Sequence, residues 1–203
     1  MRRRLDALKQ QGARDRQRKD LIWYLLLSAA TTLGNASGFD RLFGNHRLTA
    51  TVSYAALVRL KPAQQRKRLL AALKQAGVRY ASKKSKQLSA NLREIQRRGG
   101  VESETRRALS LQGRDSKRNY FLQFAGIGPK YANNIWMDIY DDDFHDCVAV
   151  DARLSRVLHE LQVDVTCSQS FFQQIARDAN LQTWEVDRLL FGFTDYFIAA
   201  IRW

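Results

Sequence analysis

The chain has 203 residues and is 45% hydrophobic, enough for a real core, which excludes wholesale disorder and leaves room for one large domain or two small ones. Lys and Arg number 34 against 20 Asp and Glu, and the resulting formal charge of +14 makes nucleic acid the leading expected partner. Two cysteines, Cys147 and Cys167, are too few for a four-cysteine zinc site or iron–sulfur cluster.

Only two prolines occur, Leu, Ala, Gln, Lys and Arg abound, and no evenly spaced alternating runs suggest a sandwich, so an all-α fold is expected. Residues 1–20 are polar and basic and predict a frayed helix. No sustained apolar signal region follows Met1-Arg2-Arg3-Arg4, and the apolar stretch 21–30 is too short to span a bilayer. A soluble intracellular protein of the cytoplasm, nucleoid or nucleus, without a membrane partner, is the expectation. The run Leu21-Ile22-Trp23-Tyr24-Leu25-Leu26-Leu27 is apolar on all sides, as in a helix buried in the core, and 28–35 turn small and polar, as in a loop or helix end.

Pro62 suits the first turn of a helix reaching about residue 76, with Leu69, Leu70 and Leu73 on one face and Gly77 as its stop. Leu88, Leu92 and Ile95 predict a second helix, closed by Gly99-Gly100, and a further one covers about 116–125. Leu154, Val157, Leu158 and Leu161 recur at i, i+3, i+4, i+7, so 152–162 reads as helix. Val186, Leu189, Leu190, Phe193 and Phe197 continue that pattern toward the C-terminus, and no internal repeat is present.

Charge is segregated along the chain. Residues 57–118 carry 18 basic and 4 acidic side chains, whereas 138–151 carry six Asp and no Lys or Arg. Lys83, Lys84 and Lys86, with Arg93, Arg97 and Arg98, are candidates for phosphate contact. The acidic run Asp141-Asp142-Asp143-Phe144-His145-Asp146 has the chemistry for Mg²⁺ or Mn²⁺, but it reads better as a solvated loop, so no metal or cofactor is expected.

The most informative segment is Phe121-Leu122-Gln123-Phe124-Ala125-Gly126-Ile127-Gly128-Pro129-Lys130-Tyr131-Ala132. An apolar helix runs into Gly-Ile-Gly, and Pro129 starts a second helix whose buried face is marked by Ala132, Ile135, Trp136 and Ile139. Gly126 and Gly128 allow a tight turn and a close phosphate approach, Ile127 plugs the two helices together, and the second helix's N–H groups offer an anion site. Alone, such a turn could be an ordinary connection. The other element is Val148-Ala149-Val150-Asp151-Ala152-Arg153, in which an apolar triplet delivers Asp151 to a helix start. By itself Asp151 reads as an N-cap.

Together, Gly-Ile-Gly-Pro-Lys-x-Ala followed by Val-Ala-Val-Asp-x-Arg resembles the helix-hairpin-helix DNA glycosylase superfamily, which includes endonuclease III and the 8-oxoguanine glycosylases. The match is strongest over about 118–161. The resemblance implies two helical domains with an active-site cleft between them: a central barrel over 25–143 ending just after the hairpin, and a second domain from 1–24 plus 144–203. Lys130 would approach from the barrel side and Asp151 from the other. It further implies Lys130 as nucleophile and Asp151 as the carboxylate that stabilises positive charge on the sugar and helps activate Lys130. A damaged nucleotide would be extruded from double-stranded DNA, its base released through a Schiff base, and the strand cut by β-elimination.

The missing cysteine loop points to the cluster-free branch of 8-oxoguanine glycosylase/lyases, hence to an oxidised purine. Oxidised pyrimidines, uracil and alkylated purines remain open, as do a non-catalytic DNA-binding module and a metal-dependent nuclease. Relatives often carry Gln or Asn after the segment matching Leu27-Ser28-Ala29. Ala30 stands there instead, so Ala30, Thr31, Thr32, Asn35 and an aromatic such as Trp203 are the candidates for filling the gap or lining the base pocket. A monomer is expected.

Overall fold

The computed structural model describes residues 1–32 and 37–203, and among these every regular element is a helix, so the fold is all-α. In chain order the α-helices are α1 (Arg2–Arg16), α2 (Leu21–Thr32), α3 (Ser37–Phe43), α4 (His46–Thr51), α5 (Tyr54–Val58), α6 (Pro62–Gln75), α7 (Ala81–Arg97), α8 (Val101–Leu109), α9 (Arg114–Leu122), α10 (Pro129–Asp138), α11 (Ala152–Glu160), α12 (Ser168–Asp178), α13 (Thr183–Gly192) and α14 (Thr194–Ile201). No helix among the described residues is long and apolar enough to cross a membrane. The chain divides into two compact units, one made of 17–128 and the other of 1–16 with 129–203.

In the 17–128 unit, α2 is the core helix. Leu21, Ile22, Trp23, Leu25, Leu26 and Leu27 are all buried, and α2 packs on α3, α7 and α8. Its one indole N–H is satisfied without interrupting that core: Trp23 Nε1 donates to Val52 O at 2.8 Å. α6 and α7 form a closely packed pair, joined through Gly77 in the left-handed region (φ +66°), and Leu69, Leu73, Leu88, Leu92 and Ile95 line their shared buried side. Each such fully buried aliphatic side chain contributes about 1.5–3 kcal/mol.

In the other unit, Leu154, Val157 and Leu158 of α11 meet Phe172 and Ala176 of α12, Val186 and Leu190 of α13 and Ile198 of α14 in one apolar cluster. α10 belongs with them. Trp136 stacks on Phe144 with ring centroids 6.2 Å apart, and Trp184 Nε1 donates to Met137 O at 2.7 Å. α1 is held rather than frayed, for three reasons. Lys9 pairs with Glu185 at 2.6 Å, and Arg16 pairs with the buried Asp141 at 2.5 Å. Between them Gly12 lies so close to α10's end that an added Cβ would stand 2.8 Å from the Ile139 carbonyl carbon.

α10 lies in the unit of the two termini, where Trp184 Nε1 donates to Met137 O and Gly12 stands beside Ile139 just past the helix end.

Candidate active site at the hairpin and the following helix

The hairpin is built as its sequence suggests. α9 ends at Leu122, α10 begins at Pro129, and Gly126 sits at φ +88°, which favours glycine. The Ile127 N–H closes the turn on Phe124 O at 3.2 Å. Gly128 has nothing within 4 Å of where a Cβ would stand, so the turn's outer edge is open. Ile127 is half-buried.

A residue that the motif does not mention holds this turn in shape. Asn91 of α7 is 3% exposed, and its Oδ1 accepts from Ala125 N at 2.8 Å while its Nδ2 donates to Ala125 O at 3.0 Å. Both main-chain groups just before Gly126 are thereby satisfied by one amide. Gln87, one turn earlier on α7, lies where a Gly126 Cβ would go, 2.9 Å away.

Lys130 stands in the first turn of α10, and Asp151 immediately precedes α11. Asp151 is indeed an N-cap: its Oδ1 accepts from Arg153 N at 2.9 Å and Leu154 N at 3.0 Å. Its other oxygen, Oδ2, lies 3.8 Å from Lys130 Nζ. The lysine side chain is 39% exposed and the aspartate 20%, so the pair is reachable from solvent yet partly enclosed. Both residues belong to the unit made of 1–16 and 129–203.

The extended segment leading to Asp151 is anchored from beneath. Asp187 of α13 is 1% exposed, and its Oδ1 accepts from Ala149 N at 3.0 Å. Arg188 lies 3.4 Å from its Oδ2. Burial pushes the Asp187 carboxyl above the usual carboxylate range; Arg188 and the Ala149 N–H pull it back, and Asp151 and Asp138 push it further up. On the solvent side Arg153 lies over the Phe191 ring at 4.4 Å and donates to Phe191 O at 3.2 Å.

Among the other candidates, Lys83 and Lys86 are exposed on α7, but Lys84 is not. It is 3% exposed, on the buried face of Ala81, Ser85 and Leu88, and burial, then Arg79, lowers its pKa. Its ammonium is therefore not presented to a phosphate at the surface, which corrects the grouping of the three lysines. Thr31 is likewise fully buried, with its hydroxyl donating back to Leu27 O and Ser28 O, so it is not free to read a base. Ala30 is half-buried, Asn35 falls outside the described residues, and Trp203 is fully exposed.

Within the acidic run Asp141 and Phe144 are buried, whereas Asp142 and Asp146 are exposed. Asp141 pairs with Arg16 and accepts from Asp143 N, and His145 stacks on Tyr140 at 4.2 Å. Among the described residues no cluster of three His, Cys, Asp or Glu side chains is arranged to hold a metal ion. Cys147 is buried, Cys167 is exposed, and both are free thiols. Of the C-terminal aromatics, Trp184 is core and Tyr196 is exposed.

No protein-family model and no curated protein matches the chain. Solved structures do match in fold. One is the Methanocaldococcus jannaschii 8-oxoguanine glycosylase/lyase in complex with a 15mer DNA containing 8-oxoguanine: 16% identity, TM-score 0.68, covering 92% of this chain and 86% of that one. The other is the 8-oxoguanine DNA glycosylase of the same organism: 17% identity, TM-score 0.67, covering 92% and 84%. At this identity the likeness establishes a shared fold.

Proposed function

We propose that this chain is a DNA glycosylase with abasic-site lyase activity, acting on an oxidised purine such as 8-oxoguanine in double-stranded DNA. The observation that carries the reading is the Lys130–Asp151 pair, with 3.8 Å between Nζ and Oδ2 while Oδ1 is committed to helix α11. Mere binding to a polyanion does not call for a carboxylate beside the hairpin lysine. The +14 charge and the fold shared with a glycosylase/lyase solved on 8-oxoguanine DNA support the same conclusion.

The steps follow from these groups. The backbone of Gly126, Ile127 and Gly128 and the start of α10 grip a phosphate, and the damaged nucleotide leaves the base stack. Neutral Lys130 attacks C1′ through Nζ, the glycosidic bond breaks, and the base departs with its bonding pair and a proton. Asp151 Oδ2 stabilises the positive charge that grows on the sugar. The Nζ lone pair then opens the C1′–O4′ bond, O4′ takes a proton from solvent, and the resulting protonated imine acidifies the C2′ proton. Loss of that proton expels the 3′ phosphate and cuts the strand.

A panel of duplexes, each with a single lesion, incubated with the protein and analysed with and without alkali, tests the reading. Nicking of the 8-oxoguanine duplex without alkali is expected. Nicking of none of the panel, with alkali or without, contradicts it.

A further inference from the structure

The α6–α7 pair carries a concavity of about 280 Å³ lined by Pro62, Ala63, Arg66, Lys86, Ser89 and Arg93. Lys86, Ser89 and Arg93 are spaced i, i+3, i+7 and so share one face of α7, and Arg66 comes from the second turn of α6. Among the described residues, none of the three cations is engaged in an ion pair, although the chain holds 20 carboxylates.

Two further features face the same hollow. Ser89 is 3% exposed and its hydroxyl has no hydrogen-bond partner. Without a partner inside the protein and lining the hollow, this hydroxyl can donate to an anion seated there. The second is the start of α6, a 14-residue helix with Pro62 in its first turn. There the Ala63 N–H has no intrahelical acceptor, and the positive end of the peptide dipoles adds to the three side chains.

We infer that Arg66, Lys86, Ser89 and Arg93, with the α6 N-terminus, form a binding site for a tetrahedral phosphate anion. The arginines supply planar donor forks, Lys86 a point charge, and Ser89 and Ala63 one neutral donor each. On the glycosylase reading, which this inference extends, the ligand is a backbone phosphate of the duplex at some distance from the lesion. The chemistry alone also admits inorganic phosphate or a phosphate monoester.

The test uses the full chain, its Arg66→Ala/Arg93→Ala and Arg66→Ala/Lys86→Ala/Arg93→Ala variants, and Ser89→Ala, with folding checked by circular dichroism. Calorimetric titration with inorganic phosphate is expected to show binding to the wild type, weakened roughly tenfold or more by the double variant. Ser89→Ala should weaken it without removing charge.

The salt dependence of duplex binding separates the sources. A single DNA phosphate held by the whole cluster lowers the log–log slope by about 0.9 in total, alike in double and triple variants. Phosphate binding lost with the slope unchanged identifies a free phosphate compound as the ligand, and the site stands. Absence of phosphate binding to the wild type, together with a slope that is unchanged or falls by about 0.9 for every cation removed, overturns the site. Covalent trapping through Lys130 is read separately, so its failure would sink the glycosylase reading and leave the phosphate result in place.

Discussion

Asn91 clasps Ala125 from both sides, accepting from its N–H at 2.8 Å and donating to its carbonyl at 3.0 Å, and so fixes the main chain one residue before the left-handed Gly126. The hairpin's geometry is thus imposed by α7 as much as by its own glycines. Asn91→Ala removes both bonds beneath a partly buried turn. It should lower stability by about 1–3 kcal/mol in a denaturant titration, and weaken duplex binding more than an exposed α7 change such as Lys83→Ala does. Asn91→Asp keeps the acceptor and should fall between the two.

Gly12 gives a reversal of the usual helix rule. Gly→Ala inside a helix ordinarily stabilises by about 1 kcal/mol. Here the new Cβ would meet the Ile139 carbonyl carbon at 2.8 Å, a backbone atom that cannot swing aside. Gly12→Ala should therefore destabilise the protein, read as a lowered Tm, by separating α1 from the end of α10.

Asp187 sets a pH dependence. Its carboxyl is raised by burial, so its contribution to stability is fully present below the ordinary carboxylate value of 3.8 and is lost as pH rises through the raised folded value. Asp187→Asn keeps an acceptor for Ala149 N without a titrating group. The stability of the wild type minus that of Asp187→Asn should accordingly decline as pH increases from about 4 toward neutrality. A difference that grows over this range would contradict the burial argument. Because Ala149 leads directly into Asp151, Asp187→Ala should also lower base excision while leaving duplex affinity nearly unchanged.

Nicking of abasic-site DNA should persist in EDTA, since the proposed chemistry runs through an amine and a carboxylate. A metal-dependent nuclease working through the Asp141–Asp146 stretch would lose it.

Much of this was legible in the sequence, and the rest was hidden for identifiable reasons. The long helices α2, α6 and α7 and the Gly-Ile-Gly turn are local signals, written in periodicity and in residues that tolerate a tight turn. Asn91 and Asp187 carry no local signal, because their roles depend on partners 34 and 38 positions away and no local pattern distinguishes them from surface polar residues. Lys84 departs from the rule that a lysine marks the solvent face, since it falls in register with Ala81, Ser85 and Leu88. α3, α4 and α5 are only 5–7 residues long, too short for a periodicity to declare itself. α1 looked frayed because its hold comes from Glu185, Asp141 and Ile139, all far along the chain.

The central claim is that Lys130 is the nucleophile and Asp151 its partner, and borohydride reduction during reaction with abasic-site or 8-oxoguanine duplex tests it most directly. The wild type should become covalently joined to DNA, Lys130→Gln should give no adduct, and Asp151→Asn should bind duplex but excise the base far more slowly. An adduct formed in full by the Lys130→Gln protein would contradict the assignment.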